Sequence, residues 1–257
     1  MLRLFQIEWI KAKSNMAFWA LLILYMIGVY VLCSIGTGIM NMNADVNGET
    51  MDLSSINMYN FPQAWHNLTY IASYLKIFLG IAMIVSISNE LQQKTLRQNI
   101  IDGLSKVEFI VTKILFGFML SLVATVFILV LGYYFGSTYS DQFSFDLVTE
   151  RLDFVGAFFL QTLGFLLFSL FIGILIQSTG LAIVFVIAYS FLIETFVTWI
   201  FFDSDGLIAA LLPMNALDNL IQFPVSLNLA SQVQSFVGMT EVLIAAGWLF
   251  IYSGISY

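Results

Sequence analysis

The sequence predicts an all-α integral membrane protein with six transmembrane helices and both termini in the cytoplasm. Three observations carry this. First, the 257-residue chain is 60% hydrophobic and only 10% charged, where an ordinary soluble domain carries about 25% charged residues. Second, the apolar residues fall in continuous runs of about 17–25 residues, the length an α-helix needs to cross a hydrocarbon core. The runs do not alternate apolar with polar, which argues against a transmembrane β-barrel. Third, the basic residues gather between particular runs, as the positive-inside rule requires of cytoplasmic segments.

The spans read as 17–40, 66–88, 110–136, 155–176, 180–201 and 241–257. The first is too long for the core of a signal peptide, and no small-residue cleavage site follows it. With the N-terminus inside, Arg3, Lys11, Lys13, Lys94, Arg97, Lys106 and Lys113 are cytoplasmic, and Arg151 is the one basic residue of the external loops. Those loops carry Asp45, Glu49, Asp52, Asp141, Asp146, Glu150, Asp153, Asp203, Asp205 and Asp218. The acids either attract a cationic substrate or simply reflect the exclusion of Lys and Arg. Spans 4 and 5 are joined by Gln177-Ser178-Thr179-Gly180 alone, which forces an antiparallel hairpin. The 202–240 segment is broken by Pro213 and Pro224 into pieces too short to span, and reads as an external re-entrant segment whose irregular backbone must be buried in protein. No repeat or low-complexity linker divides the chain, so residues 1–257 form one membrane domain.

Two polar segments stand out. In residues 1–15, Leu2, Phe5 and Trp9 fall near one helical face while Arg3, Glu8, Lys11 and Lys13 are interspersed. That pattern suits an interfacial helix in the headgroup layer, with Ser14 or Asn15 opening the first span; a frayed charged tail is the plainer alternative. Residues 89–109 read as a short helix, a break at Asp102-Gly103, and a capping box in which Ser105 and Glu108 satisfy each other's amides. This segment is either a solvated loop that enforces topology or a docking element for a cytoplasmic partner.

Both segments carry a resemblance. "IEWIKAKSNMAFW" resembles the Glu-x-x-Lys-x-(Lys/Arg)-Ser opening of ABC-2-type transporter permeases. "NELQQKTLRQNIIDGLSKVEFIVTK" resembles their connection between the second and third spans, through Glu90, Thr95, Arg97, Gly103, Ser105, Lys106 and Lys113. The resemblance covers the chain through its topology and is closest in kind to permeases of the bacitracin-resistance and lantibiotic-immunity type. It implies an elbow helix over 2–13, with Phe5, Glu8, Trp9 and Lys11. It also implies a coupling helix over 91–104 that docks on a separate ABC-type ATPase, two copies of which bind ATP and Mg. A second permease copy or a sister permease, membrane lipid, a bacterial cytoplasmic (inner) membrane, and export of an amphipathic peptide antibiotic, drug or lipid are further implications. The polar tail such permeases lead one to expect does not follow the short last span before Tyr257.

The chain itself has no G-x-x-x-x-G-K-[ST] phosphate cradle, no cofactor signature and no nucleic-acid signature. One histidine, His66, and one cysteine, Cys33, make neither a metal cluster nor a disulfide. The lone Cys33 reads as a small buried hydrophobe. No nucleophile–base constellation is evident, so the chain is not expected to be an enzyme. Two charges lie inside spans, Lys76 and Glu194, and such charges are functional-site hypotheses. Counted from the cytoplasmic ends they sit roughly 18 and 21 Å deep. They either face each other or a shared aqueous cavity, or else Lys76 snorkels while Glu194 is protonated or hydrogen-bonded. Two other functions therefore stay open: an ion- or proton-coupled secondary transporter using Lys76 or Glu194, and a non-transporting membrane anchor. Gly132-Tyr-Tyr-Phe-Gly136 permits close helix contact, within the bundle or at a dimer seam.

Overall fold

The computed structural model describes residues 2–40, 43–46, 49–52, 58–92, 105–140, 144–201, 210–224 and 237–255. In chain order the elements are α1 (Leu2–Ser14), α2 (Met16–Met40), β1 (Asn43–Val46), β2 (Glu49–Asp52), α3 (Gln63–Gln92), α4 (Lys106–Tyr139), α5 (Phe145–Thr149), α6 (Asp153–Ile176) and α7 (Thr179–Ala188). A π-helical turn over Tyr189–Ile193 then leads into α8 (Glu194–Phe201), and α9 (Pro213–Asp218) and α10 (Met239–Ile255) complete the series.

Five helical stretches are long and apolar enough to cross a bilayer: Met16–Gly38, Gln63–Gln92, Val107–Tyr139, Phe145–Ile176 and Thr179–Ile200. The chain is thus a helical, multi-pass membrane protein. The sixth expected span is the 17-residue apolar helix α10, which extends only about 26 Å at helical rise. The ends of these helices fall within a few residues of the expected bounds, except that the fourth apolar stretch begins at Phe145, well before the expected 155. Among the described residues the one departure from all-α is the antiparallel pair β1–β2, which puts Asn43 opposite Asp52; four-residue strands carry too little pattern to be read from sequence.

Helices α3 and α6 form the centre. Gly80 of α3 lies against Phe165 and Ser169, and Gly173 of α6 lies against Ile87, so the two backbones approach closely. The outer helices turn apolar faces outward: Leu24, Ile27, Val31 and Ile35 on α2, and Val126 and Val130 on α4, are exposed. A soluble protein rarely leaves contiguous faces of this kind; lipid is their natural solvent.

Local sequence explains the helix ends. Asn15 accepts hydrogen bonds from the amides of Ala17 (3.1 Å) and Phe18 (3.4 Å), so it caps α2. Both halves of the Ser105–Glu108 capping box form at the start of α4. The α6–α7 hairpin turns at Gln177, which adopts the left-handed conformation (φ 54°) and so ends α6 as a C-terminal cap. The GxxxG of α4 packs inside the bundle: Gly132 faces the Trp65 ring and Gly136 the Phe61 ring, both closer than any side chain would allow.

The fifth expected span is not one uniform helix. The π turn inserts a residue between α7 and α8, and a single extra residue re-aims the side chains that follow it. The residue so aimed is Glu194.

Candidate functional site

Four charged side chains close a ring where α1, α3 and α4 meet. Lys113, on the first turns of α4, is fully buried. Its ammonium donates to Glu8 Oε2 (2.5 Å), to Glu90 Oε1 and to Ser86 Oγ (3.3 Å), which uses all three of its N–H bonds. Lys11 closes the ring from the half-exposed side, donating to Glu8 Oε1 (3.4 Å) and Glu90 Oε2 (3.2 Å). Two carboxylates face two ammoniums, so the buried cluster is neutral. A lone buried charge would be costly, and only a paired and hydrogen-bonded arrangement of this kind is tolerated. Burial lowers the Lys11 pKa, but the Glu90 and Glu8 carboxylates more than reverse this and hold it above the ordinary lysine value.

The ring sits one turn before the segment 93–104. Glu90 and Gln92 are the last polar residues of α3 before it. The Gln92 amide also reaches the α6–α7 turn, donating to Gln177 O and Thr179 Oγ1, both at 3.3 Å. A cavity of about 350 Å³ opens beside the ring, bounded by Lys11, Ser14, Asn15, Ser86 and Asn89. The structure therefore brings Glu8 and Lys11, neighbours on α1, together with Glu90 and Lys113, which are far from them in sequence. Trp9 and Ile10 point outward from α1 and are exposed. Ser105 serves its own helix as cap. Thr95, Arg97 and Gly103 lie outside the described residues, as do the side chains of Phe5 and Lys106; the helix expected over 91–104 is described only through Gln92.

The second cluster lies halfway along α3. Lys76 and Glu194 do not pair. Lys76 is buried and donates to Asp218 Oδ1 at 2.5 Å, with its ammonium 5.6 Å from the centre of the Phe165 ring. Gln161 Nε2 donates to the same oxygen at 3.0 Å. Glu194 instead accepts from the amides of Met214 (2.9 Å) and Asn215 (2.7 Å). Those are the first N–H groups of α9, because Pro213 at its start has none. One short helix thus holds both intramembrane charges, Glu194 at its start and Lys76 at its end.

Sequence reasoning placed Asp218 among the external acids and passed over Gln161 altogether. The signal for Asp218 was present in the re-entrant reading: a segment that dips back between spans brings its own polar residues to the depth of Lys76. Among the described residues no group of three or more His, Cys, Asp or Glu could hold a metal ion. His66 stacks on Phe154 with ring centres 4.2 Å apart and its Nε2 lies 2.8 Å from Gln222 O. Cys33 is buried, as expected.

The architecture and these two clusters define a multi-pass helical membrane protein with paired charges in its interior. No protein-family model matches the chain, and a search of curated proteins gave no match either.

Proposed function

We propose that this chain is the transmembrane permease subunit of an ATP-driven exporter of the ABC-2 kind. In this reading α10 serves as a sixth span and both termini are cytoplasmic. Two separate ATPase subunits bind ATP and Mg, a second permease copy or a sister permease completes the path, and the cargo is amphipathic: a peptide antibiotic, drug or lipid. A bacterial cytoplasmic membrane is the expected setting. The supporting observation is the Glu8–Lys113–Glu90–Lys11 ring. It ties the N-terminal helix and the start of α4 to the root of segment 93–104, the place where a push from a cytoplasmic partner must be received by more than one helix. A loop that served topology alone would need no buried anchor at its root.

The test is purification of the tagged chain from its native membrane. The expected outcome is co-purification of a soluble ATPase with a Walker motif, hydrolysis of ATP by the complex, and loss of coupled transport in Arg97→Glu with membrane insertion intact. Normal coupling in that variant would return segment 93–104 to the status of a loop. A second reading, an ion-coupled secondary transporter, draws on the Lys76–Asp218 pair, buried at its ammonium and half-exposed at its carboxylate; absence of any ATPase, with transport driven by an ion gradient, would select it.

A further inference from the structure

A cavity of about 410 Å³ lies between α3, α6, the π turn and the residues that follow α9. Its volume falls in the range of small-ligand sites. Its aromatic lining includes Tyr70, Tyr74 and Phe223, and its polar lining includes Lys76, Gln161 and Asp218. Tyr70 meets Phe223 edge to face at 5.3 Å.

The polar members are unevenly satisfied. Asp218 Oδ1 accepts two hydrogen bonds, from Lys76 and from Gln161. Among the described residues nothing donates to Asp218 Oδ2, and the Asp218 side chain is 54% exposed. Because Gln161 must present its NH2 group to the carboxylate, its Oε1 is fixed on the other side. That oxygen is buried, on a residue only 1% exposed, and accepts no hydrogen bond. Lys76 uses one of its three N–H bonds on Asp218, and no other described residue takes the rest. Toward the cavity the site thus offers an acceptor, Asp218 Oδ2, and donors, the remaining Lys76 N–H bonds, around a pair whose charges cancel; Gln161 Oε1 has almost no accessible surface and lies out of a ligand's reach.

That combination selects a ligand class. A plain anion would leave Asp218 Oδ2 without a donor. A plain cation would leave the Lys76 donors without acceptors and would meet an ammonium. A neutral apolar group would answer neither, and would displace water from both without replacing its hydrogen bonds. We infer that the cavity binds a zwitterion carrying an N–H-bearing ammonium beside an anionic oxygen group, as in phosphoethanolamine. The ammonium takes Asp218 Oδ2 under the tyrosine rings, whose faces attract cations. The anionic oxygens take Lys76. Two sources share this chemistry: an aminophospholipid headgroup entering from the bilayer, and a soluble phosphoethanolamine-like zwitterion.

The N–H requirement makes the test sharp, because a quaternary choline headgroup has none to give. The purified full chain, with any partner that accompanies it, is offered phosphatidylethanolamine, its N-methyl and N,N-dimethyl derivatives and phosphatidylcholine with matched acyl chains, and retained lipid is counted by native mass spectrometry. The expected preference for the ethanolamine over the choline lipid is about tenfold, the scale of one charge-assisted hydrogen bond, declining stepwise as N–H bonds are methylated away. Asp218→Asn, which keeps one oxygen for Lys76 and puts an NH2 group where Oδ2 stood, should erase the preference. Free phosphoethanolamine that displaces the lipid would assign the soluble source; failure to displace it would assign the bilayer. Equal retention along the methylation series overturns the inference, and that series needs no variant. So does a preference that persists in a folded Asp218→Asn. No ATPase enters the measurement, so its failure would leave the permease reading standing, and the reverse.

Discussion

Lys113→Met removes the most buried ammonium of the ring. The ring in the native chain holds two positive and two negative groups. The variant leaves Glu8 and Glu90, both nearly buried, facing each other with Lys11 alone between them. Breaking a buried ion pair from one side costs about 3–5 kcal/mol, because it strands an uncompensated charge. Glu90→Gln is the opposite error, with one carboxylate against two ammoniums, and should also destabilise. The double variant Glu90→Gln/Lys113→Met restores neutrality with Glu8 and Lys11, which already bond each other. Its loss should therefore fall short of the sum of the singles by about 1–3 kcal/mol, the upper part of the range for directly coupled residues. Unfolding can be followed in detergent by labelling of Cys33, the sole cysteine and a fully buried one, so that reactivity reports loss of the bundle. Additive losses in the three variants would refute the closed ring. So would a Lys113→Met chain as stable as wild type.

Three further outcomes follow from individual contacts. Ser105→Ala removes the cap of α4 and should cost about 1 kcal/mol, with faster hydrogen exchange at the Glu108 amide; unchanged exchange there would refute the cap. Gly132→Leu drives a side chain into Trp65 and should destabilise by about 1–3 kcal/mol without changing oligomeric state in light scattering; a stable variant with an altered oligomer would make GxxxG an external seam after all. Lys11 has a pKa raised in the fold, so its contribution is complete below the unfolded value and is lost only as pH rises through the folded one. The stability gap between wild type and Lys11→Met should stay constant over about pH 7 to 9 and close above about pH 10.5. A gap that closes within the neutral range would show that another group titrates.

Hydropathy made the spans legible because a bilayer leaves a helix few alternatives. The Ser105–Glu108 box was legible because it is local, using residues three apart. The ring was half legible: Glu8, Lys11, Glu90 and Lys113 could be picked out by position in a pattern, but no one-dimensional reading tells that Lys113 turns toward both carboxylates. The Lys76–Glu194 pairing was argued from depth alone. Depth fixes the height of a charge and not its direction around the helix axis, and the π turn shifts that direction just before Glu194. Gln161 gave no signal because one amide in an apolar run changes neither length nor charge. Asp218 was assigned to the outside by its segment, although the prolines that made the segment re-entrant were also the reason it could reach Lys76.

Lys76 and Glu90 share one straight element, 14 residues apart on α3, which is roughly 21 Å and about 40° short of the same face. A displacement delivered at the ring is therefore carried along α3 to the cavity without needing a chain of side-chain rearrangements. What the cavity does in response depends on which wall can yield. The α3–α6 wall is close-packed, with Gly80 under Phe165 and Gly173 under Ile87, and such contacts resist sliding. The opposite wall, formed by Ser190, Phe191 and Thr195 around the π turn, belongs to a stretch in which only 17% of an 18-residue apolar window is buried, against 61% of such a window in the stretch containing α6. Its hydrogen-bonded tie to α3 is the exposed Gln92 side chain at the α6–α7 turn, through two 3.3 Å bonds. The wall expected to move is thus α7 with its π turn, opening the cavity on the side away from α6. If the chain is the proposed permease, spin-label pairs bridging α3 and α7 should change their distance distribution when nucleotide is added to its complex with the proposed ATPase, and pairs bridging α3 and α6 should not. Movement confined to the α3–α6 pairs would mean that the packed seam, and not the π turn, is the joint.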